Sequence, residues 1–153
     1  MRGEQPVTAE LIVRHGSVQR GGSTRIGVLF DIEPGWHIYS KDPGDAGLPT
    51  TIAWSGPSGV SFGPIEWPTP QQFLDPGEIR TSGYTGAVVL QSTLSLAPQP
   101  SAEPSLPIKA SVEWLACKEL CLPGSARLEV TLPVSPQSPV LSTHAELFDQ
   151  VKE

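Results

Sequence analysis

The sequence predicts an all-β protein, a β-sandwich with a short helical extension at its C-terminus. Three observations lead there. Short segments of alternating or apolar character recur along the chain, clusters of turn-forming residues separate them, and 15 glycines with 17 prolines in 153 residues exceed ordinary usage. Many short strands joined by tight turns need that composition, because Gly supplies positive φ and Pro presets the turn.

In chain order, the segments read as strands are Thr8–Val13, Ser23–Ile32, Trp36–Tyr39, Thr50–Trp54, Gly86–Leu96, Ile108–Cys117 and Ala126–Leu132. Pro34-Gly35, Asp42-Pro43-Gly44, Ser55-Gly56-Pro57, Asp75-Pro76-Gly77 and Pro123-Gly124 read as the turns between them. The alternation is clearest before the first cysteine. There Val112, Trp114 and Ala116 share one face while Leu115 and Cys117 point the other way, and Leu128, Val130 and Leu132 read inward on the partner strand. Trp36, Trp54, Trp67 and Trp114 are assigned to packing, where large aromatic area contributes most. After Pro133 the run Ser135-Pro136-Gln137-Ser138-Pro139 reads as an extended linker, since prolines block helix and ladder alike. Thr143 and Glu146 then have capping-box spacing, and Leu147, Phe148 and Val151 fall on one helical face. The expected organisation is one domain over residues 1–134, followed by a linker and the start of a helix over 135–153 that leads to a further C-terminal region.

Composition excludes several functions. A formal charge of −6 with only ten scattered Lys and Arg is the wrong surface for nucleic acid or for acidic lipid. No stretch approaches the roughly 20 apolar residues that cross a bilayer, so no direct membrane insertion is expected. No cofactor motif is present.

Two cysteines are too few for a disulfide scaffold, so their spacing carries the information. If Lys118–Leu120 connect two strands, Cys117 and Cys121 face each other across the ladder, with Cα atoms roughly 4.5–5.5 Å apart, inside disulfide range. A bridge closing so small a loop adds only about 2 kcal/mol by loop entropy, so stability is a weak reason for it. Exchange chemistry is a better one, because it needs a thiolate with a second thiol in reach to resolve a mixed disulfide. Lys118 favours the thiolate and Glu119 opposes it. A structural disulfide, a Cu(I) site on the two thiolates and a zinc site are the alternatives. The last needs four ligands, and His15, His37 and His144 lie apart from each other and from the cysteines in sequence.

The pattern Val112-x-Trp114-x-x-Cys117-x-x-x-Cys121-Leu122-Pro123 resembles the N-terminal periplasmic domain of DsbD-type transmembrane thiol reductases. Gly35-Trp36-His37-x-Tyr39, the run from Asp42 to Thr50 and Gly83-Tyr84-x-Gly86 are most similar to the branch called suppressor of copper sensitivity B. The resemblance implies an immunoglobulin-like fold and a periplasmic domain of an inner-membrane protein. Such a domain takes electrons from a membrane-embedded partner domain, with C-terminal thioredoxin-like domains in the same parent, and passes them to periplasmic thioredoxin-fold proteins. A link to copper tolerance comes with that branch. It also implies that Cys121 forms the intermolecular disulfide and Cys117 resolves it. Better-known members separate the cysteines by five residues where this chain has three. A mobile cap loop over the disulfide is implied as well, and position puts it at Phe73–Arg80, with Phe73, Leu74 and Asp75 as candidates. His37 and Tyr39 match family positions that carry aromatic residues near the site. Alternation puts both on the face opposite Trp36 and Ile38, His37 as a candidate pH-dependent tuner of the thiolate and Tyr39 as structure.

Overall fold

The computed structural model describes residues 6–75, 77–98 and 104–150, without the side chains of Asp75 and Gln150. Ten strands form: β1 (Val7–Val13), β2 (Ser23–Ile32), β3 (Ile38–Gly44), β4 (Thr51–Ser55), β5 (Val60–Phe62), β6 (Gln71–Asp75), β7 (Ile79–Tyr84), β8 (Ala87–Leu96), β9 (Ser105–Cys117) and β10 (Cys121–Pro133). They make three antiparallel sheets, ordered β1-β2-β8-β5, β10-β9-β4 and β3-β7-β6. The first two face each other as the expected sandwich.

Alternation explains the core. Along β9 the even-numbered residues Leu106, Ile108, Ala110, Val112, Trp114 and Ala116 are buried, and they meet Val28 and Phe30 of β2 and Leu90 and Leu94 of β8. Phe30 meets Trp114 edge to face, with ring centroids 5.8 Å apart. Trp54 stacks on Phe62 at 5.9 Å and donates its indole N–H to Ser92 Oγ (3.0 Å), so its one polar atom is satisfied. Leu128, Val130 and Leu132 line the same interior from β10, as alternation predicts.

Pro123-Gly124 is not a turn. Both residues belong to β10, opposite Leu115 and Trp114. A Cβ at position 124 would overlap the indole of Trp114, so the glycine makes room for that ring to lie across the strand. Asp42-Pro43-Gly44 likewise continues β3, through a register shift between Tyr39 and Gly44.

Three strands escape the sequence reading, namely β5, β6 and β7. They are short, and much of β6 and β7 is exposed, so no apolar period marks them. The expected cap loop at Phe73–Arg80 is consequently a β-hairpin. Phe73 pairs with Thr81 and Leu74 with Arg80, and the turn between the strands carries positive φ at Gly77 and Glu78.

Past β10 the chain lies against the outer face of the first sheet. Gly16 N–H donates to Val140 C=O (2.9 Å), and Ser142 N–H to Arg14 C=O (2.8 Å). Helix α1 (Leu147–Gln150) then places Phe148 fully buried against Ile12 and Val89, with Gln91 Nε2 donating to the Phe148 carbonyl at 3.0 Å.

Candidate functional site

The β9–β10 hairpin sets the two sulfurs. Cys117 and Cys121 are register partners and are joined as a disulfide, Cα to Cα 4.1 Å. The connection is tight, with Lys118 N–H donating to Leu120 C=O at 2.9 Å. The separation is a little under the expected range, and the ladder explains the direction. Cys117 uses both its N–H and its C=O on His37, so it faces Cys121 as a non-hydrogen-bonded pair, the closer of the two antiparallel kinds.

Burial divides the pair. Cys117 is 3% exposed, whereas Cys121 begins an exposed stretch of β10. Cys117 points away from the sandwich core, so its cover comes from elsewhere. The source is the third sheet, whose first strand reaches β9 through the His37–Cys117 bridge.

Register then makes a row. His37, Cys117 and Cys121 are successive cross-strand neighbours with side chains on one face. The His37 ring packs edge-on to Tyr39, centroids 5.0 Å apart, with Nε2 3.1 Å from the Tyr39 hydroxyl. Phe73 stacks on the same imidazole at 4.6 Å and 29°. The cap hairpin therefore rests on His37.

The loop after β3 holds this array from behind. Asp45 N–H donates to Arg80 C=O (2.8 Å) and Arg80 N–H donates to Asp45 Oδ2 (2.9 Å), clamping the hairpin. Thr50 Oγ1 donates to Tyr39 C=O (2.8 Å). Gly47 has φ 92° and sits so near the Tyr39 ring that a Cβ there would overlap it. Sequence reasoning gave Asp45 and Gly47 no role in the site. The signal lay in the run from Asp42 to Thr50, whose turn chemistry says nothing of what the loop touches.

Of the sequence-predicted neighbours, His37, Phe73, Lys118 and Glu119 line one groove beside the disulfide, and Tyr39 supports it from behind. The Lys118 side chain folds back toward Gly35. Leu74 lies at the rim of the groove, turned to solvent. The Asp75 backbone pairs with Ile79, and its side chain lies outside the described residues. Among the described residues no group of three or more His, Cys, Asp or Glu could hold a metal, and no helix is long and apolar enough to cross a membrane.

An immunoglobulin-like sandwich with a disulfide at a hairpin tip, one cysteine covered and the other open, defines the class: a domain built for thiol–disulfide exchange. The family model for the N-terminal part of the thiol:disulfide interchange protein DsbD matches residues 5–133, and the chain belongs to that family. Among solved structures, the N-terminal periplasmic domain of ScsB from Proteus mirabilis is similar, at 21% identity and a TM-score of 0.67. That match covers 99% of this chain and 55% of the other, so the chain spans about half of that relative. The reduced DsbD N-terminal domain of Neisseria meningitidis follows, at 16% identity and a TM-score of 0.52, covering 92% of this chain and 94% of that one. A complex between the DsbD and PilB N-terminal domains of the same organism matches at 16% identity and a TM-score of 0.50, covering 84% and 85%. No curated protein sequence matches the chain.

Proposed function

We propose that the domain is a periplasmic dithiol–disulfide relay. It takes electrons from a membrane-embedded domain of its own parent protein and delivers them to thioredoxin-fold partners. The reduced Cys121 thiolate attacks one sulfur of the partner disulfide. A Cys121–partner bond forms while the partner's S–S bond breaks, and the leaving sulfur departs as a thiolate that takes up a proton. Cys117 then attacks Cys121 Sγ, closing the Cys117–Cys121 disulfide and releasing the partner's second thiol. Two electrons and two protons pass to the partner.

The observation that carries this reading is the unequal exposure of the two cysteines. Only Cys121 is open to a macromolecular disulfide, while buried Cys117 reaches just its neighbour. The solved pairing of a DsbD N-terminal domain with a PilB N-terminal domain supports a protein partner of this kind. His37, Tyr39 and Phe73 are assigned to shielding Cys117, and residues 1–134 to the exchange unit.

Cys117→Ala tests the assignment. It is expected to accumulate a covalent complex with an oxidised thioredoxin-fold protein through Cys121, whereas Cys121→Ala accumulates none. A reduction potential far below roughly −300 mV would instead mark a bond that resists cellular reductants, favour a structural bridge, and overturn the relay.

A further inference from the structure

The backbone of Cys121 carries information separate from its sulfur. β10 is an edge strand, and parity decides which of its groups face outward. Cys117 gives its N–H and C=O to His37, so Cys121 opposite it gives nothing to β9, and its own N–H and C=O point off the open edge. The far end of the strand agrees. Val134 donates inward to Pro104 C=O (2.9 Å), while Pro133 C=O faces outward and accepts from Val18 N–H (3.0 Å). Every odd-numbered residue of β10 therefore presents its backbone to the outside.

The prolines obey this parity. Pro123 and Pro133 both occupy outward positions, where a missing N–H costs the ladder nothing and denies a donor to any visiting strand. Among the described residues none makes a backbone bond to the outward groups of Cys121, Ser125 or Arg127. Leu120 and Leu122, either side of Cys121, are exposed apolar residues.

We infer that the exchange partner lays an extended stretch of its backbone along the β10 edge, bonding the N–H and C=O of Cys121, and that Pro123 confines this pairing to one residue. The inference rests on the relay proposed above. The occupant is a polypeptide, because the site offers one donor and one acceptor in strand geometry beside two leucines, contiguous with the sulfur that the partner must reach. Confinement suits a relay, since a longer ladder would slow release after each transfer.

The test uses the full chain with Cys117→Ala and compares two mixed disulfides through Cys121, one with a thioredoxin-fold protein keeping a single active-site cysteine, the other with glutathione. Amide hydrogen exchange at Cys121 is followed by NMR. At least tenfold slower exchange in the protein adduct than in the glutathione adduct is expected, and equal rates overturn the pairing. Pro123→Ala restores an outward donor and is expected to raise non-covalent affinity for that protein about tenfold, the effect of one added backbone bond. Unchanged affinity overturns the role given to Pro123. Concentration-dependent protection of Cys121 in the free chain would place a second copy on the edge and overturn the partner assignment. Failure to form the protein adduct at all counts against the relay itself, whereas an adduct with an unprotected Cys121 amide removes only the pairing.

Discussion

His37 and Cys117 exchange both backbone hydrogen bonds, at 3.1 and 2.9 Å, although eighty residues separate them in sequence. Through that single bridge the third sheet is tied to the redox hairpin, and the His37 ring becomes the seat on which Phe73 lies.

The stack between His37 and Phe73 is therefore expected to control access to the disulfide. An aromatic pair of this kind contributes about 1 kcal/mol beyond area burial. His37→Ala and Phe73→Ala should each speed reduction by a small dithiol several-fold, and the double variant should add little to either, as a stopped-flow double-mutant cycle would read. His37→Phe should keep the slow rate. Fully additive effects would show that the two rings act separately.

Gly124→Ala is expected to destabilise the domain by about 2 kcal/mol or more, because the new Cβ overlaps the Trp114 indole and neither the ring, 7% exposed, nor the ladder can move freely. The urea midpoint and the Trp fluorescence of the native state measure it. A neutral result would mean that the ring leaves its pocket without loss.

The C-terminal segment should contribute to stability. Phe148→Ala removes a fully buried ring from its contact with Ile12 and Val89, at an expected cost of about 3 kcal/mol, read as a shift of the denaturation midpoint. Arg14→Ala, which cuts the surface ion pair with Asp149 (2.8 Å), should change it by less than about 1 kcal/mol.

Tyr84 gives the alkaline limb. Burial pushes its phenol up from 10.0 to about 12, and its hydroxyl donates to Pro68 C=O at 2.8 Å. The unfolded phenol ionises near pH 10 while the folded one still holds its proton. Stability from this group is thus intact below pH 10 and falls as pH rises toward 12. Urea midpoints between pH 9 and 12 should decline more steeply for the native chain than for Tyr84→Phe.

Much of the sandwich was legible in the letters. Val112, Trp114 and Ala116 alternate because β9 has one dry face, and such a face writes a period of two into any sequence that covers it. The hairpin pairing of Cys117 with Cys121 could be read for the same local reason, since a short connection leaves few registers. The cap hairpin could not. Gln71, Gln72, Arg80 and Ser82 have no buried period to display, and β6 and β7 exist because β3 offers them an edge.

Pro123-Gly124 shows the opposite failure. Its letters name a turn, but the glycine answers to a ring on the next strand and the proline to the open edge beyond.

By itself the sequence determined the fold class, the strand faces and the nearness of the two sulfurs, all of which depend on residues a few positions apart. Which cysteine is covered, what covers it, and where a partner's backbone can approach were decided only by the tertiary structure. Those properties arise where His37, Phe73 and Asp45 converge from distant parts of the chain, and no local period encodes contacts between segments that meet only after folding.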